Sequence, residues 1–283
     1  MRWGSERSDN IEDRRGMGVS GRGLAGGGIG TIVIALIAMY FGVDPSVILN
    51  QADTLAPKQQ QTQTQFSPEE EHLKEFMSVV LASTEEVWGT LFRNGGKTYE
   101  QPKLVLFSGA VQSACGHAEA AMGPFYCPGD HKLYLDMSFF TELSKRLGAP
   151  GDFAQAYVVA HEVGHHVQNL LGVAEQVNTA RQRGGEQQAN QLQVRMELQA
   201  DCYAGVWAYH ANQTRQILEP GDMEEALAAA SGVGDDRLQK QARGYVVPES
   251  FTHGTSEQRM RWFSTGMKAG NPEQCDTFKT SKL

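Results

Sequence analysis

The stretch Val158–Gln168, "VVAHEVGHHVQ", places two histidines four positions apart with a glutamate directly after the first. On a helix, positions i and i+4 share a face, so His161 and His165 direct two imidazoles to one point. Glu162 lies about 100° around the helix, where it cannot easily bind the same ion but can reach a water on it. This H-E-x-x-H spacing is typical of two zinc ligands and a general base.

The motif also arises by chance, so a metal site requires more than these residues. A catalytic zinc needs a third protein ligand and leaves its fourth position for water. Metzincins take that ligand from a histidine further along the same helix. Here positions 168 and 171 are Gln and Leu, which excludes the metzincin pattern.

A second helix offers the missing ligand. Glu197 and Asp201 are four positions apart, so both carboxylates lie on one helix face, and the nearby Ala204 and Gly205 are small enough for close helix packing. We expect Glu197 to bind zinc, while Asp201 accepts the proton on the other ring nitrogen of a ligand histidine. Asp201 or Glu186 as the ligand, and an exposed acidic pair without a metal, are the alternatives.

The composition is that of a globular protein. The chain has 283 residues, of which 40% are hydrophobic and 20% charged, with a formal net charge of -8. The sequence pI is about 5.5. A general nucleic-acid binder needs a basic surface to neutralise phosphates, so no nucleic-acid partner is expected.

The four cysteines form no C-x-x-C pair, which disfavours a structural zinc ribbon. Their even number fits two disulfides if the domain folds in an oxidising compartment. Of the three possible connectivities, we prefer Cys115–Cys127, a short local closure, and Cys202–Cys275, which would attach the C-terminal tail.

Residues 24–43 read "LAGGGIGTIVIALIAMYFGV" and contain no charge. As a helix they would span roughly 30 Å, the thickness of the hydrocarbon core of a bilayer. Five arginines precede this stretch, so the positive-inside rule predicts a single-pass membrane protein with a cytoplasmic N-terminus and an exported domain. A cleaved signal peptide is the alternative, although no A-x-A site follows the apolar run.

The sequence divides into four segments. These are an arginine-rich N-terminus (1–23), the predicted transmembrane anchor (24–43), a Gln- and Thr-rich linker (44–67) and a folded domain (68–283). Within the domain, apolar spacing predicts strands at 103–107 and 132–136 and helices at 68–92, 138–147, 152–171, 188–211, 222–230 and after residue 256. The expected fold class is α+β: a mostly helical domain with a small antiparallel sheet, preceded by one transmembrane helix.

Four motifs carry a resemblance to a known family: "GPFYCPGD" (123–130), "HEVGHH" (161–166), "ELQADCYAGVWA" (197–208) and "SFTHGTSEQRMRWF" (250–263). With the arginine-rich start "MRWGSERSDNIEDRRG", they make the chain similar over nearly its whole length to a family of bacterial, membrane-anchored neutral zinc metallopeptidases. The resemblance implies a zincin-like fold and a location at the bacterial inner membrane. Within zincins, the E-x-x-x-D arrangement is similar to the gluzincin pattern.

Three further residues have secondary roles. Family-level analogy to membrane zinc proteases gives His253 a part in catalysis as a donor to the transition state, and a histidine that caps a turn is the alternative. Arg259 would form an ion pair with an active-site carboxylate. His166 points about 100° away from His165, so we expect it to pack in the interior.

These observations predict a zinc endopeptidase that faces the periplasm or the cell exterior and cleaves peptides or proteins. Zn²⁺ would activate a water, and Glu162 would take its proton as the water attacks the scissile carbonyl. The alternative is a non-catalytic envelope protein in which zinc only stabilises the fold.

Overall fold

The computed structural model describes residues 1–17 and 65–283. Within these residues one compact unit comprises Met1–Arg15 and Ser67–Leu283. The predicted anchor at 24–43 and nearly all of the predicted linker lie outside the described residues.

The described chain contains six strands and eight α-helices. The strands are β1 (Ile11–Asp13), β2 (Lys103–Phe107), β3 (Ala110–Ser113), β4 (Gly116–Glu119), β5 (Phe125–Cys127) and β6 (Lys132–Asp136). The helices are α1 (Pro68–Asn94), α2 (Ser138–Lys145), α3 (Asp152–Leu170), α4 (Val173–Arg183), α5 (Glu186–Arg215), α6 (Asp222–Gly232), α7 (Asp235–Arg243) and α8 (Ser256–Ala269).

Helices α3 and α5 cross at a glycine. A Cβ on Gly164 would lie 2.9 Å from the carbonyl oxygen of Ala200, closer than real Cβ contacts allow. A glycine inside a helix normally costs about 0.5–1 kcal/mol relative to alanine, and here it permits the close approach of two backbones. The crossing lies between the histidines of α3 and the carboxylates of α5, so it sets the distance between the two halves of the candidate site.

Helix α8 packs against α5 at a second close crossing. A Cβ on Gly266 would collide with the carbonyl of Cys202, and one on Gly205 would collide with the backbone of Phe263. This contact brings Arg259, on the first half of α8, into the interior beside α5, where its side chain is almost fully buried.

The main sheet has the strand order β1-β2-β6-β5. Strands β1, β2 and β6 run parallel, and only β5 pairs antiparallel, with β6. The prediction of a small antiparallel sheet is therefore wrong for this sheet, because the connection from β2 to β6 makes a crossover that leaves the two strands parallel. The separate hairpin of β3 and β4 is antiparallel.

Residues 1–15 belong to the folded unit, whereas the sequence places them in a separate segment. Strand β1 pairs with β2, and the ring of Trp3 stacks on those of His72 and Phe76 at centroid distances of 4.6 and 4.7 Å. The buried guanidinium of Arg15 pairs with Glu71 at 2.5 Å. The N-terminal segment thus completes one edge of the sheet and covers part of α1.

The transmembrane part of the fold prediction also needs correction. Among the helices of residues 1–17 and 65–283, none is long and apolar enough to cross a membrane.

Both predicted disulfides are confirmed. Cys115 bonds to Cys127, and Cys202 bonds to Cys275. The second bond attaches the C-terminal segment to α5 one residue beyond Asp201. The described chain contains no free cysteine.

Candidate metal centre

Helices α3 and α5 bring three predicted ligands together. Oε2 of Glu197 lies 3.2 Å from Nε2 of His161 and 3.5 Å from Nε2 of His165. All three residues offer ligand atoms within 4.8 Å of one another. A tetrahedral zinc with bonds of about 2.0–2.1 Å has ligand atoms about 3.3 Å apart, so these separations fit a zinc ion at their centre.

The donor set also fits zinc by its chemistry. Two imidazole nitrogens and one carboxylate form a common catalytic zinc site with one open position. A second group, Asp152, Asp222 and Glu225, offers only carboxylate oxygens, which suit harder cations. The α-ammonium of Met1 lies 2.6 Å from Asp152 and pairs with this second group instead.

Asp201 lies behind His161, as the sequence predicts for a residue that orients a ligand. Its Oδ1 is 2.8 Å from Nδ1 of His161, which leaves Nε2 facing Glu197. Arg259 donates to both carboxylate oxygens of Asp201, at 2.8 and 2.9 Å, and Tyr157 donates its hydroxyl proton to Oδ1. The predicted ion pair of Arg259 with a carboxylate of the site is therefore present, and it surrounds Asp201 with donors.

His165 is oriented by a different group. Its Nδ1 lies 2.9 Å from Oε1 of Gln168, one turn later on α3. The side-chain amide of Gln168 in turn donates to the carbonyl of Met196 and to Gln199 on α5. His161 and His165 thus each have Nδ1 hydrogen-bonded, an arrangement that fixes the imidazole orientation in metal sites.

The pKa values of His161 and Glu197 are shifted because imidazoles and carboxylates lie close together in a buried site. Burial alone lowers the pKa of His161, but the attraction of Asp201 outweighs it and raises this pKa to about 9. Burial raises the pKa of Glu197, and the attraction of His165 more than reverses this, so that its pKa lies well below the usual 4.5. A divalent cation bound here would take the place of the protons on the histidines, because metal ligands must be deprotonated.

Glu162 is buried and lines the same cavity as the three ligands. The cavity has a volume of about 770 Å³, which exceeds what a single ion and its water require. The side chain of Glu162 therefore faces a space that can accept part of a peptide next to the ligands.

His253 and Arg259 line this cavity from the side of α8. Three successive backbone N–H groups, those of residues 252 to 254, donate to Oδ2 of Asp235, at 2.7, 2.6 and 3.1 Å. The imidazole of His253 is half exposed, and its Nδ1 lies 3.3 Å from Oδ1 of Asp235. This hydrogen bond raises the pKa of His253 above its usual value, which favours a proton-donating imidazolium.

The other candidates lie away from the three ligands. Glu186 is exposed at the start of α5, outside the ligand group. His166 is fully buried, contacts the carbonyl of Glu100 at 2.6 Å and the hydroxyl of Tyr126 at 3.0 Å, and so attaches β5 to α3. His166 therefore packs in the interior, as expected because its side chain points about 100° away from that of His165.

Three residues that contact the site were not predicted from the sequence: Tyr157, Gln168 and Gln193. Gln193 donates to Oε1 of Glu197 at 2.8 Å. Its spacing of four residues before Glu197 on one helix face would have revealed it, as the spacing of four residues between Tyr157 and His161 would have revealed Tyr157.

Comparison with known proteins agrees with this geometry. Residues 1–278 match the family described as "Putative neutral zinc metallopeptidase". The match covers all but the last few residues, and the chain belongs to this family. No solved structure matches it.

Two relatives illustrate the family. "Uncharacterized protein YpfJ" of Escherichia coli K12 is 49% identical over 290 aligned residues, which cover 99% of this chain and all of that protein. "Uncharacterized protein Rv2575" of Mycobacterium tuberculosis H37Rv is 44% identical over 262 residues, which cover 87% of this chain and 86% of that protein. The likeness therefore extends over most or all of each chain and is not limited to the H-E-x-x-H helix.

Proposed function

We propose that this protein is a zinc-dependent endopeptidase whose ligands are His161, His165 and Glu197 and whose general base is Glu162. The observation that carries the proposal is the position of Glu162, which lines an open cavity together with all three ligands. A base beside the ligands and a space for a peptide are the two features that hydrolysis needs.

His161, His165 and Glu197 would hold the zinc, which would supply a Lewis acid and make the attacking water more acidic. Glu162 accepts the proton of the attacking water and then delivers it to the amine of the leaving peptide. This transfer avoids a free hydroxide and a free amide anion, and general-base catalysis of this kind contributes about 10²–10⁴-fold in rate.

His253 stabilises the negative charge that develops on the carbonyl oxygen. Asp235 contacts Nδ1 of the imidazole, and this hydrogen bond raises the pKa of His253, which favours the protonated ring with a proton on Nε2. Donors that are positioned before the reaction stabilise an oxyanion most effectively, because no reorganisation is needed. The alternative role of His253 is to cap a turn. The backbone N–H groups of residues 252–254 already bind Asp235 there, so the imidazole remains available to the cavity.

A non-catalytic protein whose metal only stabilises the fold is the second possibility. A structural zinc site normally closes its fourth position with a protein ligand. Among the described residues, no fourth ligand joins the group of His161, His165 and Glu197, and a cavity adjoins it. Both features favour catalysis.

Metal removal tests the function directly. The full-length protein should contain one zinc per chain and cleave members of a peptide library. Treatment with a chelator should abolish cleavage, and added Zn²⁺ should restore it. Zinc-loaded protein that cleaves no peptide or protein substrate would favour the non-catalytic alternative.

We further propose that the described unit works in an oxidising compartment, outside the cytoplasm. The support is the pair of disulfides, Cys115–Cys127 and Cys202–Cys275, which persist where thiols are not kept reduced. Alkylation of intact cells followed by mass mapping should find all four cysteines protected until a reductant is added. Four alkylated thiols before reduction would contradict this location.

A further inference from the structure

One wall of the cavity is built by α4, the short helix between the two ligand-bearing helices. Ala174, Asn178 and Arg181 line the cavity. Their spacing of four and three residues puts them on one face of the helix. This face carries one cation, at the end of the helix nearest to α5.

Arg181 is linked to the metal ligands through one side chain. Its guanidinium donates to Oε1 of Gln193 at 2.8 Å, and the amide of Gln193 donates to Oε1 of Glu197 at 2.8 Å. Arg181 thus lies two hydrogen bonds away from the carboxylate that faces both histidines. A group bound by Arg181 would lie within a few residues of the scissile bond of a peptide at the metal.

Three arginines line the cavity, and their partners differ. Arg259 is buried and paired with Asp201, and Arg146, which directly follows α2, is paired with Glu142 of that helix. Arg181 is exposed, and its bond to Gln193 uses one of five donors. Within residues 1–17 and 65–283, no carboxylate forms an ion pair with it.

We propose that Arg181 binds a carboxylate of the substrate, and that the cavity therefore prefers peptides with a negative charge near the scissile bond. The proposal rests on the proposed peptidase function. A guanidinium presents parallel N–H groups that match the two oxygens of a carboxylate, and such charge-assisted pairs are stronger than neutral hydrogen bonds. The carboxylate comes from an Asp or Glu side chain or from the C-terminus of the peptide.

Gln193 positions the guanidinium of Arg181 for binding of the substrate carboxylate. The amide oxygen accepts from Arg181 while the amide nitrogen donates to Glu197, so the guanidinium is held at a fixed place relative to the metal ligands. The long arginine side chain loses less freedom on binding when one of its donors is already anchored. Arg181 is therefore a specificity-determining residue.

The experiment uses every peptide that the wild-type protein cleaves. Each peptide is made again with its acidic side chains changed to amides, and separately with its C-terminal carboxylate amidated. The kcat/KM values are measured for the wild type, Arg181→Gln and Arg181→Glu. Arg183→Glu is the matched control, because Arg183 is exposed on the same last turn of α4 but does not line the cavity.

Removal of the decisive carboxylate should lower kcat/KM of the wild type about tenfold, the effect expected for a charged hydrogen bond. Arg181→Gln should cleave the acidic and neutral peptides equally, and Arg181→Glu should prefer peptides with lysine at that position. Arg183→Glu should keep the preference of the wild type. Sensitivity to side-chain amides identifies an acidic residue as the ligand, and sensitivity to amidation identifies the C-terminus.

A binding measurement separates this proposal from the proposed function. Zinc-loaded Glu162→Gln protein is titrated with the acidic and neutral peptides by calorimetry, with Arg181 intact or changed to Glu. Tighter binding of the acidic peptide that disappears with Arg181→Glu supports the subsite even if the wild type cleaves nothing. Equal binding of the two peptides, or equal kcat/KM values in the wild type, would overturn it.

Discussion

Nδ1 of His161 lies 2.8 Å from Oδ1 of Asp201, on the opposite side of the imidazole ring from Glu197. Burial raises the pKa of Asp201, but the charges and hydrogen bonds of Arg259 and His161 outweigh this and hold the pKa of the carboxyl below its usual value. The consequence is that Nε2 of His161 is the nitrogen available to a metal.

This relationship predicts different effects for the two carboxylates of α5. Glu197→Ala should remove zinc binding, because one of three ligands is lost. Asp201→Asn should retain one zinc per chain and weaken its affinity about 10- to 100-fold, as expected when a hydrogen bond that orients a ligand is changed. Competition with a fluorescent chelator measures both affinities. Glu186→Ala is the control and should bind zinc like the wild type.

The opposite pattern would reverse the assignment. Full zinc binding by Glu197→Ala together with complete loss in Asp201→Asn would make Asp201 the ligand.

The helix crossing at Gly164 gives a second prediction. Gly164→Ala should push α3 away from the backbone of Ala200 and so separate the histidines from Glu197. Such overpacking typically costs about 1–3 kcal/mol of stability, and we expect a loss of zinc affinity with it. Chemical denaturation and zinc titration measure the two effects. Gly89→Ala is the matched control: Gly89 lies inside α1 with open space around it, so alanine should stabilise the protein slightly.

The sequence predicted the parts of the site that depend on helical spacing. Residues four apart on a helix share a face whatever the rest of the fold does, so His161 could be paired with His165, and Glu197 with Asp201, before their contacts were known. The long helices were predicted for the same reason, and the structure extends α5 only slightly beyond the expected 188–211, to Glu186–Arg215.

The missed elements are those whose apolar residues are few or whose neighbours are distant in the chain. Helix α7 reads "DDRLQKQAR", with two apolar residues in nine, so it has no apolar stripe to recognise. Strand β1 reads "IED" and gains its stability from pairing with β2, more than 90 residues later. Local patterns carry no information on such pairing.

The N-terminal segment gives a third prediction. Trp3→Ala should lower the free energy of unfolding by about 1–3 kcal/mol, because the aromatic contacts with His72 and Phe76 are lost. Thermal and urea unfolding of the full chain measure this. Met17→Ala is the control, since Met17 is exposed just beyond the packed segment. Unchanged stability in Trp3→Ala would contradict the assignment of residues 1–15 to the folded unit.

Attachment of β1 should also depend on pH. Burial raises the pKa of Glu12, but its hydrogen bonds to Lys132 and Arg14 outweigh this and lower the pKa from 4.5 to about 2. A carboxyl with a depressed folded-state pKa contributes stability above its unfolded pKa, and this contribution is lost as the pH falls toward the folded value. Hydrogen-exchange protection of β1 should therefore weaken between about pH 4.5 and 2.

Glu12→Gln serves as the control for this pH dependence, because it keeps the shape of the side chain and removes its titration. In that variant, protection of β1 should be weaker at neutral pH and should change less between pH 4.5 and 2. An identical pH profile in the wild type and the variant would show that Glu12 does not hold the strand.

The most direct test of the central claim is the kcat of Glu162→Gln, measured on protein with a verified zinc content. The substitution keeps the volume and a polar tip but removes the base, and Glu162 is not one of the three grouped ligands. We predict one zinc per chain, an unchanged melting temperature and a kcat that falls about 10²–10⁴-fold, or about 3–5 kcal/mol in barrier height. A zinc-loaded Glu162→Gln protein that cleaves peptides as fast as the wild type would contradict the assignment of Glu162 as the general base.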